Sequence, residues 1–73
     1  MTENATEKSP LPLTDRETQV AREIIAGKSH KEVGAALGIA SGTVKIHLKN
    51  VARKLGLTAA TRELKARAKE FGL

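Results

Sequence analysis

From Leu13 onward the apolar residues recur at helical rather than strand spacing, and each run is bounded by its own start and stop signals. Val20, Ala21, Ile24 and Ile25 fall three and four apart, the pattern of a helix with one buried face. Ahead of them, Thr14 and Glu17 stand at capping-box spacing. The threonine oxygen takes an orphan amide while the carboxylate reaches back to the cap. Leu13 is placed to staple the helix start, and Gly27 supplies the left-handed residue that ends it. A second box, Ser29 with Glu32, opens a short helix with Val33, Ala36 and Leu37 along one side and Gly38 as its stop. A third helix begins around Ser41 to Thr43, spans about 42–55, and carries Val44, Leu48, Val51 and Leu55. At 100° per residue those four share an arc of roughly 60°, and Lys45, Lys49 and Arg53 fall on a different face. Gly56 closes this helix. Thr58 is placed to cap a fourth, amphipathic one carrying Ala60, Leu64, Ala68 and Phe71. No segment alternates with a period of two, so the expected fold class is all-α.

Size and composition narrow the picture. A chain of 73 residues holds one compact domain, and at this length folding buries only about 60% of the unfolded surface, so a partner or staple is needed for more than marginal stability. With no cysteine, disulfides and thiolate-bound metals are excluded and self-association is the remaining support. No apolar run reaches membrane-spanning length, and the polar start MTENATEKSP lacks the basic patch and hydrophobic stretch of a leader. The expectation is therefore a cytoplasmic protein with a flexible N-terminal tail over 1–11 and a folded domain over 12–73.

The formal net charge of +5 is unevenly placed. Residues 1–37 hold five Lys/Arg against six Asp/Glu, whereas residues 38–73 hold eight against two. No acidic residue lies between Val33 and Arg62, where Lys45, Lys49, Arg53, Lys54 and Arg62 fall. Such a concentration suits a nucleic-acid partner, although a solvated helix face accounts for charge alone equally well.

Two helices joined by a corner of three or four residues, with glycine in the turn, have the spacing of a helix-turn-helix unit. Val33 and Leu37 provide the first helix's contacts, Gly34 the close approach, Gly38 the turn, Ile39 the plug beneath the corner, and Val44 and Leu48 the second helix's contacts. An ordinary helical hairpin meets the same packing needs, but it does not explain the charges on the second helix. With that helix in a major groove, Lys45, Ile46 and Lys49 face base edges: a lysine donates to guanine O6 and N7, and Ile46 meets a thymine methyl. Thr43, Asn50, Arg53 and the Ser29, His30 and Lys31 segment lie where phosphates pass.

The stretches LTDRE, GKSHKEVGAALGI and TVKIHLKNVARKLGL resemble the C-terminal DNA-binding domain of the LuxR/GerE family, also called the NarL/FixJ type, over Leu13 to Leu73. That resemblance implies four helices, with the third reading double-stranded DNA and the fourth forming a two-fold homodimer. It puts Lys45, Ile46 and Lys49 on base-reading positions and Thr43, His47 and Ser29 to Lys31 on backbone-contacting ones. Ala60, Leu64, Arg67 and Ala68 fall on the dimerisation helix, and no cofactor is implied. The chain departs from the family pattern at Glu23, His30, Ala40, Ala60 and Glu63. With Ala40 where a serine cap is usual, Ser41 is expected to take over the cap and move the helix start by one residue.

Other classes fit less well. His30 and His47 lack neighbouring cysteines or paired carboxylates, so a metal site lacks ligands, and no nucleophile sits beside a base in a recognisable motif. The chain is thus not expected to be an enzyme. The alternative is a short inhibitor that forms a heterodimer with a longer LuxR-type regulator through helix four. Region four of a sigma factor shares the helix-turn-helix but fits TVKIHLKN less well. Met1 and the polar tail suit a stand-alone regulator, with a piece of a larger protein as the other possibility.

Overall fold

The computed structural model describes residues 12–73, so the expected tail over 1–11 lies outside the described residues. Four helices follow in order: α1 (Asp15–Ile25), α2 (His30–Leu37), α3 (Ser41–Leu55) and α4 (Ala60–Arg67), the last continued by a 3-10 turn at Ala68–Phe71. Among the described residues there is no strand. The all-α, four-helix architecture is the expected one.

Local signals set the first two helices. Thr14 Oγ1 accepts from the Glu17 amide at 3.1 Å and Glu17 Oε1 accepts from the Thr14 amide at 2.9 Å. Ser29 and Glu32 repeat the arrangement at 3.1 and 2.8 Å. Each box satisfies amides that the helix itself leaves without a partner. Gly38 and Gly56 adopt the left-handed conformation at the ends of α2 and α3, with φ of 71° and 72°.

α3 packs against each of the other helices. Val44, Leu48 and Val51 from its inner stripe join Val20, Ala21 and Ile24 of α1, Val33 of α2, Leu64 of α4, and Leu13 and Leu57 from the flanking segments in one core. Leu13 belongs to this core instead of stapling α1, whose fourth residue, Thr18, sends its hydroxyl to the Thr14 carbonyl.

Several local expectations are corrected. Ala36 is exposed, because the short α2 buries only Val33 and Gly34. Ser41 does not take over the cap of α3. Ala40 is the N-cap, in extended conformation with no side-chain bond, and the helix starts at Ser41. The start is fixed by the corner, where the α2 backbone at Gly34 lies against the Ile39 carbonyl and the Ser41 amide. Thr58 does not cap α4 either. Glu63 Oε2 accepts from the Thr58 and Ala59 amides, both at 2.8 Å, so a carboxylate from inside the helix holds its entry. The fourth apolar run is not one continuous α-helix, since it tightens to 3-10 geometry before Phe71.

Candidate nucleic-acid interface

A helix can enter a groove only if its inner side is anchored and its outer side is clear. The anchor is the α2–α3 corner. Gly38 turns the chain, Ile39 packs partly buried against the core, and the Ile39 amide donates to the Gly34 carbonyl at 2.9 Å. A Cβ at Gly34 would sit 2.5 Å from the Ile39 carbonyl oxygen, so the two helices meet at a separation that only glycine permits. Arg16 on α1 reaches the last carbonyl of α2, donating from Nη1 to Leu37 O at 3.4 Å.

With Val44, Leu48 and Val51 buried, the remaining positions of α3 are fixed by helical geometry. Lys45, Lys49, Arg53, Ile46 and Asn50 span roughly 140° on the side away from the core. Lys45, Ile46, Lys49 and Arg53 are exposed, and Ile46 is the exposed large hydrophobic residue among the described ones, at 59%. A half-exposed isoleucine flanked by cations is costly to leave in water, and it suits a surface that meets an apolar group such as a thymine methyl. Asn50 and Arg53 are joined, Arg53 Nη2 donating to Asn50 Oδ1 at 3.2 Å, which orients the guanidinium along the helix. Thr43 and His47 are partly buried on one shoulder of this face.

At the start of α2, Lys31 is exposed and His30 partly so, while the Ser29 hydroxyl oxygen accepts from the Glu32 amide. The Ser29 amide is itself held by Glu32 Oε1 and its carbonyl by the Val33 amide, so what Ser29 has left to offer a ligand is its hydroxyl proton. The structure brings the α3 residues to one face. Lys31 joins the same side through an open groove that it lines together with Lys45.

Two cations are sorted differently by the structure than by their spacing. Lys54 does not belong with the outward set. Its Nζ lies 2.8 Å from Glu17 Oε1, tying the C-terminal part of α3 to the start of α1. Burial pushes the Glu17 carboxyl up, but the Lys54 ammonium and the Thr14 amide outweigh it and hold the pKa below the ordinary 4.5. The second is Arg67, which pairs with Glu63 at 3.3 Å and Glu70 at 2.9 Å and lies over the Phe71 ring, 5.0 Å from its centroid.

Leu64, expected at a dimer contact, is corrected: it is wholly buried in the chain's own core and presents no surface to a partner. α4 packs on α1 and α3, and the single large apolar residue on its inner side is consumed there. Ala60, Arg67 and Ala68 keep partial exposure. Lys65, which spacing did not single out, also lines the groove bordered by α2 and α3. Among the described residues no three His, Cys, Asp or Glu side chains come together as a metal site. No helix of the described residues is long and apolar enough to cross a membrane.

A glycine-pinned corner joining a two-turn helix to a longer one with a cationic outer face defines a helix-turn-helix domain. The chain belongs to the luxR family of bacterial regulatory proteins, whose model, GerE, matches residues 11–63. Its class is thus that of regulatory proteins and not of enzymes. It is 47% identical over 52 residues to the transcriptional regulatory protein MctR of Rhizobium johnstonii, covering 71% of this chain and 24% of that protein. To a nitrate/nitrite response regulator protein homolog of Haemophilus influenzae it is 46% identical over 56 residues, 75% of this chain and 27% of the relative. To the transcriptional regulatory protein UhpA of Escherichia coli it is 45% identical over 47 residues, 64% and 24% respectively. The chain spans about a quarter of the length of these curated relatives. No solved structure matches it significantly.

Proposed function

We propose that residues 12–73 act as one sequence-specific DNA-binding unit of a cytoplasmic transcription regulator, with α3 in the major groove of double-stranded DNA. The observation that carries this is the outward set Lys45, Ile46 and Lys49, held clear of the core by the buried stripe Val44, Leu48 and Val51. In this reading Lys45 and Lys49 donate to guanine edges and Ile46 covers a thymine methyl, so these three set sequence preference. Thr43, His47, Asn50 and Arg53, with Ser29, His30 and Lys31, contact the sugar-phosphate strands and set register. The family match and the relatives named as transcriptional regulators support it.

Two-fold pairing through α4 is the second part of the proposal. It relies on Ala60, Arg67 and Ala68, because Leu64 has no exposed surface. Small residues allow two helices to approach closely, and a symmetric dimer on DNA reads two half-sites related by the same two-fold.

Selection of bound fragments from a random duplex pool tests both parts. A two-fold related motif is the expected product. An enriched single half-site removes the dimer and leaves the α3 assignment, and no enrichment at low ionic strength overturns the proposal.

A further inference from the structure

The outer side of α4 presents Arg62 and Lys65, with Lys69 on the 3-10 turn that follows, and none of them has an ion-pair partner among the described residues. Lys65 differs from the other two in its place. With Thr61 one turn before it, Lys65 walls an open groove of about 570 Å³ whose facing walls carry Lys31 from α2 and Lys45 from α3. Two more charged residues line it and are already engaged: Lys28 pairs with Glu23, and Glu32 accepts from the Ser29 amide.

Three helices thus bring three ammonium groups, without ion-pair partners among the described residues, around one concave surface that holds a single carboxylate. Like charges so gathered repel one another and draw in an anion. The groove is open along its length and continuous with Lys45, which suits an extended polyanion better than a small enclosed ligand. Duplex DNA offers one negative charge per about 1.7 Å of axis.

We propose that this groove takes the sugar-phosphate strand flanking the major groove, and that Lys65 is a phosphate contact supplied by the fourth helix. This rests on the DNA-binding reading of α3 and extends it to a helix otherwise assigned to pairing. α4 then has two sides with separate work: Leu64 inward to the core and Lys65 outward to the nucleic acid.

The test is the affinity of the wild-type chain, Lys65→Gln and Lys69→Gln over a series of KCl concentrations. Each protein is measured on a duplex selected from the random pool and on an unrelated duplex. Both lysines are exposed, so neither substitution removes core packing. For Lys65→Gln the slope of log affinity against log salt becomes shallower by about 0.9 on both duplexes. A fourfold rise in salt therefore costs it about 3.5-fold less affinity than it costs the wild type. The ratio between the two duplexes stays unchanged, and Lys69→Gln keeps the wild-type slope.

An unchanged slope for Lys65→Gln, or an equal reduction for Lys69→Gln, overturns the groove assignment while the α3 reading stands. A change in oligomeric mass for Lys65→Gln with no change in slope does the same and moves the residue to the dimer contact. If the wild type shows no salt-dependent binding to either duplex, both readings fall together.

Discussion

Substituting alanine for Gly34 places a methyl group where the α2–α3 corner has no room. The added Cβ would lie 2.5 Å from the Ile39 carbonyl oxygen, 3.3 Å from the Ser41 amide nitrogen and 3.4 Å from the Ala40 carbonyl carbon. All three are backbone atoms, so relief requires the corner to open by nearly an ångström, since ordinary contact begins at 3.4 Å. Overpacking of this kind costs about 1–3 kcal/mol, and rigid neighbours put Gly34→Ala at the upper end. Alanine's better helix propensity returns about 0.8–1.0 kcal/mol. A net loss of about 1–2 kcal/mol follows, against a total of about 4–10 kcal/mol for a chain of this size. Gly42, in the first turn of α3, is the internal control, because nothing lies within 4 Å of a Cβ built there. Gly42→Ala should stabilise by about 0.5–1 kcal/mol. Urea denaturation followed by helical circular dichroism reads both, with midpoints moving in opposite directions and slopes unchanged. A midpoint for Gly34→Ala at or above that of the wild type would refute the close-approach argument.

Acid should weaken the fold through Glu17. Its folded pKa lies below 4.5, so the carboxylate contributes stability that is fully present above that value and is lost as pH falls through the lower folded pKa. Glu63, lowered by the Ala59 and Thr58 amides, acts in the same direction. Stability measured from pH 6 down to pH 2 should drop below about pH 4.5, and Glu17→Gln should flatten that drop; an identical profile for the variant contradicts the Lys54 pairing. Leu64→Ala should cost about 2–5 kcal/mol of stability, by the same amount at any protein concentration. Concentration-dependent recovery of its fold would instead return Leu64 to a subunit contact. Ile46→Ala should change stability by no more than about 0.5 kcal/mol, since the side chain is 59% exposed, and yet weaken binding to the selected duplex. Equal affinity for that duplex removes Ile46 from the base-reading set.

How much of this was legible in the sequence depends on the range of each interaction. The capping boxes at Thr14 and Ser29 and the stops at Gly38 and Gly56 are encoded within a few residues, and all four stand where the spacing puts them. The outward face of α3 follows from its inner stripe by helical geometry alone. Pairings across the fold were not legible. Glu17 and Lys54 are 37 residues apart, and their ion pair gives no periodic signal. Glu63 displaced Thr58 from its expected capping role because its carboxylate reaches two amides at once.

Leu64 illustrates a different ambiguity. An apolar position on an amphipathic helix looks the same in sequence whether its own domain or a second copy buries it, and only the packing of α4 on α1 decides. The same packing brings Lys65 to the groove beside Lys45, which its position in the chain does not reveal.

The account turns on whether the lysines of α3 read bases or only meet phosphates. The most direct measurement is the affinity ratio between the selected duplex and random DNA at one fixed salt concentration, for the wild type, Lys45→Ala and Lys49→Ala. Base contacts worth about 1–3 kcal/mol predict that each substitution lowers this ratio about 5- to 150-fold. A loss of affinity equal on both DNAs, leaving the ratio untouched, would contradict the account and make these lysines phosphate contacts.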